Sequence, residues 1–287
     1  MDAKEAKEEG SNLLPTEGPG SQPKHQGGNR RGGRGPAKRE EQVSRALSKL
    51  LRHKATSAGI KLDAEGFAPL DKVLAWGPLK SEKVTVDDIK TCTRDNAKQR
   101  FSMRANPATN PAAETEDSSD ASHWLIRANQ GHSIALSSSD MLTEISMDAG
   151  NVPERVLHGT YYAFWAAILQ SGGLSRMTRN HVHCSTGIPG SDAGVISGMR
   201  KDAEVMIEID IEGSLRDGAM KWWLSSNGVL LTEGDADGLV PTKYFTRVNG
   251  VKDNVGVLME KGQKIADLPT DLKMKVPQGK NHGRKKA

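Results

Sequence analysis

Basic and histidine side chains gather at three places along the chain, each near the end of a predicted helix or strand. The first is "SKLLRH", which ends in Arg52 and His53, the second is "RANQGHS" at 127–133, and the third runs from "VLHGT" through "SRMTRNHVHCSTG" to "SGMRKD". Arginine presents a planar fork that grips phosphate oxygens in pairs, and histidine exchanges a proton near neutral pH. Such groups without a carboxylate pair indicate chemistry on a phosphate-rich substrate.

Each cluster also has an ordinary structural interpretation. Arg52 and His53 end a predicted helix, where a cation offsets the partial negative charge of the helix dipole. Arg127 suits an ion pair at a strand edge, and Arg200 suits a solvated helix position. A single cluster therefore does not decide between structure and catalysis.

Other catalytic arrangements are missing from the sequence. His181 and His183 lie two residues apart on one face of a predicted strand, but no third metal ligand follows nearby, so we expect no metal site. Cys92 and Cys184 have neither zinc-finger nor disulfide-framework spacing. No Walker-type glycine loop occurs, and no Ser-His-Asp or Cys-His arrangement can be identified from order and spacing.

The first half of the chain, 40–150, is predicted to be a winged-helix module. Apolar residues at helical spacing begin in "EQVSRALSKLLRH", and two shorter helices follow, the second opened by Thr85 as N-cap. The strands "RFSMRA" and "HWLIRAN" flank a Pro-rich, acidic surface insertion at 106–122. Helices followed by such a ribbon are typical of winged-helix modules that bind nucleic acid.

The second half, 151–262, is predicted to be α+β and rich in antiparallel strands. "TYYAFWAAILQSGGL" has the pattern of an amphipathic helix that stops at Gly172. "HVHCST" and "VMIEIDI" alternate as half-buried strands do, and Asn227-Gly228 predicts a hairpin with a type I′ turn.

The two ends of the 287-residue chain are basic, and its net charge is +4. We expect the Arg-Gly-rich leader, 1–39, to be disordered, and 263–287 to form a polar, basic tail. Segments 24–39 and 272–287 each hold six Lys or Arg and no acid, a composition that suits contact with nucleic-acid backbones and equally a solvated or nuclear-import tail. There is no secretory signal or apolar span, so we expect an intracellular protein, cytoplasmic or nuclear, and a monomer.

The ordered series "LSKLLRH", "IRANQGHS", "LHGT", "GLSRMTRNHVHCSTG" and "SGMRKDAEVMIEID" resembles the RNA 2′-phosphotransferases of tRNA splicing, over roughly residues 40 to 250. The resemblance implies a winged-helix RNA lobe followed by an NAD-binding lobe of ADP-ribosyltransferase type. It also implies that NAD⁺ is consumed as co-substrate to remove an internal 2′-phosphate from tRNA or another RNA. The leader and the insertion are additions to this family pattern.

The resemblance also assigns roles to particular residues. Arg52, His53 and Arg127 match the family's catalytic Arg-His-Arg-Arg set, with His53 as a candidate proton donor and Arg127 as the holder of the 2′-phosphate. Arg200 is placed as the last member, although Arg179 lies close in sequence. The residues expected to position NAD⁺ are His158, Gly159, Thr160, Arg179, His183 and Ser185.

Two other functions stay open at this point. One is an ADP-ribosyltransferase that stops after its first step and modifies phosphate ends of nucleic acids. The other is a non-catalytic RNA-binding protein that kept the fold, which would be marked by loss of one Arg or His of the set. Arg52, His53, Arg127 and Arg200 are all present, which counts against the second alternative.

Overall fold

The computed structural model describes residues 36–111, 118–274 and 276, and residues 36–287 cluster as one compact unit. Most of the predicted leader, part of the acidic insertion and about half of the basic tail therefore lie outside the described residues. The last residues expected to belong to the leader instead begin the first helix, α1 (Pro36–Lys49). A proline at the first helical position is favourable, because its missing N–H would have no partner there anyway.

Helix α1 continues into one turn of π-helix, Leu50–Lys54, which carries Arg52 and His53. Val43, Leu47, Leu50 and Leu51 are all buried and form the stripe that the apolar spacing predicts. Three further helices complete the helical part of this half: α2 (Leu70–Ala75), α3 (Gly77–Ser81) and α4 (Val86–Asp95).

The start of α4 confirms the predicted N-cap and also explains why α1 begins early. Thr85 accepts a hydrogen bond from the N–H of Asp88, whose carboxylate accepts one from the N–H of Thr85. The same carboxylate receives both terminal nitrogens of Arg39, at 2.6 and 3.0 Å, and these bonds hold the pKa of Asp88 below its ordinary value. Arg39 thus fastens the first turns of α1 to α4.

The helices pack with an antiparallel sheet of three strands: β1 (Ala68–Pro69), which precedes α2, and β2 (Phe101–Ala105) and β3 (Trp124–Ala128), which follow α4. The strand order in the sheet is β1-β3-β2. Strands β2 and β3 form a hairpin, in which Ala105 faces Trp124 near the tip and Ser102 faces Arg127 near the open end. The acidic insertion lies at the tip, so Arg127 is at the opposite end from it.

The second half is built on antiparallel sheets, which confirms the α+β prediction. A five-stranded sheet has the order β14-β13-β12-β8-β5, a four-stranded sheet β4-β9-β10-β7, and a two-stranded sheet β11-β6. The bounds of these strands are β4 (Thr143–Ile145), β5 (Leu157–Thr160), β6 (Gly173–Ser175), β7 (Val182–Cys184), β8 (Val205–Ile209), β9 (Trp222–Leu224), β10 (Leu230–Thr232), β11 (Leu239–Pro241), β12 (Phe245–Gly250), β13 (Gly256–Glu260) and β14 (Gln263–Lys264). The helices of this half are α5 (Ser138–Met141), α6 (Tyr162–Ser171) and α7 (Ile211–Arg216).

Each half has its own apolar core. In the second half, Val205, Ile207 and Ile209 of β8 point inward as predicted, and they share a cluster with Trp165 of α6 and Trp222 of β9. Helix α6 ends at Gly172, which takes the left-handed conformation with φ 78° that glycine adopts readily at this position. A separate cluster fills the first half between its helices and its three-stranded sheet.

The hairpin β9–β10 forms as predicted, but the predicted type I′ turn is wrong. A type I′ turn needs a positive φ at both central residues, whereas Gly228, with φ 75°, has one and Asn227 does not. The N–H of Gly228 bonds to the carbonyl of Ser225, so a glycine in the left-handed region follows an ordinary turn. The Ser225 hydroxyl donates to Asn227 Oδ1 and accepts from the N–H of Val229, which favours this form.

The C-terminal part of the described chain remains packed beyond the predicted boundary at 262. Strand β14 pairs with β13, and Leu268 and Leu272 pack against the core of the second half. None of the helices in the described ranges has the length and apolar character needed to cross a membrane.

Candidate active site

Arg52 and the segment "RANQGHS" come together although 75 residues or more separate them in sequence. The backbone carbonyl of Arg52 accepts hydrogen bonds from the N–H groups of Ser133, at 2.9 Å, and Ile134, at 3.4 Å. Gly131 has φ 89°, and a Cβ on it would lie 3.4 Å from the Arg52 guanidinium carbon. The glycine therefore permits both the left-handed backbone and the close passage of this arginine.

The guanidinium of Arg52 is buried without a sufficient set of partners. Its Nε and Nη2 have no hydrogen-bond partner among the described residues. Burial lowers the pKa of Arg52 to about 10, and the positive charges of Arg179 and Arg100 contribute to that shift. A buried charged donor without an acceptor is costly, and a bound anion would remove the cost. The geometry is that of an anion site.

His53 lies beside Arg52 on the same turn and is exposed. Its Nδ1 is 2.9 Å from the Ser133 hydroxyl, which fixes the orientation of the ring. Partial burial lowers the pKa of His53, and the charges of Arg179, Arg52 and Lys54 lower it further. The free imidazole is therefore neutral at neutral pH, and a phosphate dianion bound among these cations would raise its pKa toward protonation.

Arg127 is not the strand-edge ion pair that is its ordinary alternative. Its Nη1 donates to the backbone carbonyl of Glu65 at 3.1 Å, and its guanidinium lies over the Phe67 ring, 4.8 Å from the centroid. Its Nε is buried and has no partner among the described residues, and burial lowers its pKa. Arg104, on the neighbouring strand, takes the nearby carboxylates instead, with Asp63 at 3.1 Å and Glu65 at 2.9 Å.

The polar residues Asn129, Gln130 and His132, which follow Arg127, are buried and join separate parts of the chain. Asn129 accepts a hydrogen bond from the Ser102 hydroxyl and donates one to the carbonyl of Gln99. The carbonyl of His132 accepts from the N–H of Asn180 at 2.9 Å, which ties this segment to the second half. Burial is the largest cause that lowers the pKa of His132 to about 3, so its ring is neutral.

Gln130 connects the same segment to His183. Both ring nitrogens of His183 face oxygens: Nδ1 is 3.0 Å from the carbonyl of His181, and Nε2 is 2.8 Å from the side-chain amide oxygen of Gln130. Burial lowers the pKa of His183 well below its ordinary value, so the neutral ring donates only one of these bonds. The amide of Gln130 satisfies the other nitrogen when its NH₂ group is turned toward the ring.

Of the two arginines considered for the fourth catalytic position, Arg179 is the closer to Arg52 and His53 in electrostatic terms. Its charge lowers the pKa of both residues, whereas Arg200 is not among the causes of either shift. Burial and the charge of Arg200 lower the pKa of Arg179 itself. Arg200 bonds to the Tyr161 hydroxyl at 3.2 Å and lies 5.7 Å from the centre of that ring. The two arginines are therefore neighbours with different surroundings.

The "HGT" residues lie on strand β5 next to β8. His158 Nδ1 is 2.9 Å from the carbonyl of His183, and Thr160 is buried with its carbonyl bonded to the N–H of Glu204. A Cβ on Gly159 would come within 2.9 Å of the side chains of Ala203 and Met199, so glycine permits close packing of the segment before β8.

Ser185 has a structural partner. It is fully buried, and its hydroxyl donates to the carbonyl of Ser197 at 3.1 Å. Its backbone N–H and carbonyl both pair with Leu157. This arrangement holds the loop from 185 to 200 against β5 and leaves little of the hydroxyl for a ligand.

The sequence interpretation did not single out Lys98, Arg100 or Tyr161. Arg100 helps to lower the pKa of Arg52, and Tyr161 holds Arg200. The available signals were the basic "KQR" immediately before β2 and the aromatic residue immediately after "HGT". Within the described ranges, no group of three or more His, Cys, Asp or Glu could hold a metal ion.

Comparison with known proteins identifies the family of this chain. The family described as "RNA 2′-phosphotransferase, Tpt1 / KptA family" matches residues 38–234. The chain is 37% identical to "tRNA 2′-phosphotransferase 1" of Danio rerio, over 85% of this chain and 94% of that protein. It is 37% identical to the Homo sapiens protein of that name, over 75% and 79%, and 38% identical to "tRNA 2′-phosphotransferase" of Saccharomyces cerevisiae, over 74% and 84%. The resemblance predicted from the five motifs is confirmed, and the chain belongs to the RNA 2′-phosphotransferase, Tpt1 / KptA family.

Proposed function

We propose that this protein removes the splice-junction 2′-phosphate from ligated tRNA and consumes NAD⁺ as co-substrate. The products are RNA with a free 2′-OH, ADP-ribose 1″,2″-cyclic phosphate and nicotinamide. The observation that carries this proposal is the buried guanidinium of Arg52, whose Nε and Nη2 have no partner among the described residues, within a group of like charges that includes Arg179 and Arg100. That arrangement suits a multiply charged phosphate, and the family relationship names the phosphate.

In the first step, an oxygen of the RNA 2′-phosphate attacks the anomeric carbon of the nicotinamide ribose. The bond from that carbon to the nicotinamide nitrogen breaks, its electron pair goes to the ring, and nicotinamide leaves neutral without a proton from the protein. The product is an RNA-phospho-ADP-ribose intermediate. In this scheme Arg127 and Arg52 hold the attacking phosphate, and their unpartnered nitrogens are the donors available for it.

In the second step, the ribose 2″-hydroxyl attacks phosphorus and the bond from phosphorus to the RNA 2′-oxygen breaks. The hydroxyl loses a proton and the departing RNA oxygen gains one. We assign the donation to His53, because it is exposed beside Arg52 and its ring is held by Ser133. The arginines stabilise the charge that develops on the phosphate oxygens, which is the larger contribution expected of the site.

The two halves take different parts in this proposal. The helices and the three-stranded antiparallel sheet of 40–150 support assignment as a winged-helix RNA lobe, since their order of helices and strands is that of such a module. The β-rich remainder, 151–262, is the proposed NAD lobe of ADP-ribosyltransferase type. Its cationic residue Arg200 suits a dinucleotide diphosphate, and its neighbour Arg179 belongs to the phosphate clamp. The residues that would shape the surrounding wall are His158, Gly159, Thr160, His183 and Ser185.

The proposal is tested with an RNA that carries one radiolabelled internal 2′-phosphate. With NAD⁺, the label should leave the RNA and appear in a cyclic ADP-ribose phosphate, and without NAD⁺ it should stay on the RNA. Label that stays on the RNA with ADP-ribose attached would favour an ADP-ribosyltransferase that stops after the first step. Unchanged RNA that nevertheless binds would favour the non-catalytic alternative and contradict the proposal.

Alanine at Arg179 and alanine at Arg200 should have different kinetic effects. We expect Arg179→Ala to lower kcat by about 10²-fold or more, because its charge acts on Arg52 and His53 and belongs to the phosphate clamp. Arg200→Ala should chiefly raise KM for NAD⁺, because Arg200 is held against Tyr161. Steady-state kinetics with each substrate varied in turn separates the two effects. The opposite pattern would return Arg200 to the catalytic set, where the sequence placed it.

A further inference from the structure

The chain between α4 and β2 forms a rigid turn, Asn96–Arg100, which the proposed chemistry does not use. The Asn96 side-chain oxygen accepts the N–H of Lys98 at 3.1 Å and Nη1 of Arg100 at 3.2 Å. Gln99 adopts φ 44°, and its side chain donates to the carbonyls of Asn96 and Arg94. A side-chain-bearing residue in this region costs about 1–2 kcal/mol, so the surrounding bonds must impose the conformation.

The turn is fixed to both halves of the protein. The carbonyl of Gln99 accepts a hydrogen bond from the side chain of Asn129 at 2.7 Å, and Asn129 follows Arg127 by two residues. The carbonyl of Lys98 accepts one from the side chain of Asn227 at 3.0 Å, across 129 positions of sequence. These bonds reach the turn through its backbone carbonyls, so they leave the ammonium group of Lys98 and the Arg100 nitrogens other than Nη1 available for another use.

These two side chains are cations without ion-pair partners among the described residues. Both are partly buried. Burial lowers the pKa of Lys98, and the charges of Arg100, Lys201 and Arg200 lower it further, while the carboxylate of Asp202 opposes them with the smallest effect. Arg100 in turn is one of the two charges that lower the pKa of Arg52. The cationic cluster thus extends from Arg52 to the turn, and like charges at this density are disfavoured unless an anion lies among them.

A groove of about 620 Å³ between α1 and the end of α4 begins at Lys98 and Arg100. Two of its carboxylates are already paired: Glu41 bonds to Arg45 at 2.6 Å, and Asp95 bonds to Arg94 at 2.7 Å. Glu40 is the one lining carboxylate that has no ion pair within the described ranges. An extended RNA strand bound at the arginine cluster could therefore continue past the turn and along this groove, because most of the carboxylates that line the groove are paired with cations.

We infer that Lys98 and Arg100 form a second anion site, which binds a phosphodiester of the substrate RNA next to the 2′-phosphate. This inference rests on the proposed function. An internal 2′-phosphate shares its ribose with the 3′ phosphodiester, so a site that clamps the former at Arg52 must meet the latter close by. The turn supplies two cations next to the segment that carries Arg127, fixed by hydrogen bonds to both halves. The site would thereby distinguish an internal 2′-phosphate from one on a free nucleotide.

The test compares Lys98→Gln with Lys61→Gln, a matched change at an exposed lysine. The substrates are a 2′-phosphorylated RNA and the same RNA with an uncharged methylphosphonate as its 3′ linkage. Lys98→Gln should raise KM for the charged RNA about 10-fold, the scale of one lost charged hydrogen bond, and reduce the salt slope of binding by about one. KM for NAD⁺ and thermal stability should not change, and Lys98→Arg should restore most of the affinity.

On the methylphosphonate RNA, wild type and Lys98→Gln should behave alike, because the charge that Lys98 contacts is gone. Equal losses on both RNAs, or no loss on either, would overturn the inference. A rise in KM for NAD⁺ instead of RNA would also overturn it and assign the site to the dinucleotide diphosphate. If wild type left the 2′-phosphate in place with NAD⁺ present, the proposed function would fail, while equilibrium binding of the two RNAs would still test the site.

Discussion

Replacing Arg127 by alanine should lower turnover of a 2′-phosphorylated RNA by about 10²- to 10³-fold or more, with the fold intact. The Nε of this guanidinium is buried without a partner among the described residues, and its Nη1 donates a hydrogen bond to the backbone carbonyl of Glu65. The bonds of this side chain therefore contribute little to the core, and we expect the fold to survive their loss. Single-turnover rates with saturating RNA and NAD⁺ would measure the loss in the chemical step itself.

Arg104 provides a matched control for Arg127. Both guanidinium groups lie over the Phe67 ring, at 3.9 Å for Arg104 and 4.8 Å for Arg127, but Arg104 is paired with Asp63 and Glu65. Arg104→Gln should therefore retain the turnover rate. Arg127→Lys should recover little of the rate, because a point charge cannot replace the fork. Similar turnover losses at both arginines would mean that the position acts through the sheet and would count against its role in the clamp.

Arg52→Ala and His53→Ala should make the RNA-phospho-ADP-ribose intermediate accumulate. Arg127 also holds the phosphate in the first step, so we expect the loss of Arg52 or His53 to slow mainly the second step. Both residues belong to the half proposed to bind RNA and would meet the phosphate and the departing RNA oxygen. Loss of the product should be about 10²-fold or more, the scale of a lost charge-stabilising or proton-donating group. A gel shift of labelled RNA after mixing with NAD⁺ detects the intermediate directly, and Lys49→Ala, an exposed change on the same helix, should leave the reaction unchanged.

Arg52→Met adds a measurement that is independent of catalysis. Methionine keeps an unbranched apolar stem and removes the buried donors that lack partners, so the variant should be at least as stable as wild type toward thermal unfolding. Inorganic phosphate should raise the midpoint temperature of thermal unfolding of the wild type more than that of the variant.

If Arg52→Ala and His53→Ala both lose product without building up the intermediate, the pair serves binding or the first step. If both keep full activity, Arg52 and His53 are only the polar end of a helix.

Features fixed by neighbouring residues could be predicted from the sequence. The cap at Thr85, the inward residues of β8 and the stop at Gly172 each follow from a short pattern, and the structure confirms them. The turn at Asn227-Gly228 is the informative error. The dipeptide alone favours type I′, but hydrogen bonds of Ser225 and the contact of Asn227 with the carbonyl of Lys98 select another form.

The relative positions of the site residues could not be predicted from local patterns. Nothing around Arg179 indicates that its charge reaches Arg52 and His53, because that neighbourhood depends on how the two halves pack. The same holds for the approach of Arg52 to Gly131 and for the bond between Gln130 and His183. The motif resemblance identified the family without any of this geometry, because the order of the motifs in the sequence indicates the family. The distances between the site residues are not needed for that assignment.

The β2–β3 hairpin separates a segment that must keep its register from a loop that need not. Its open end, where Ser102 faces Arg127, must stay in register for the clamp to exist, whereas its tip beyond Ala105 and Trp124 carries the acidic insertion. Because the strands between them are paired residue by residue, a change of length at the tip is absorbed before it reaches Arg127. Insertions, deletions and changes of charge in this loop can therefore occur independently of the chemistry. For the same reason the tip offers a place to attach a fluorophore or a tether.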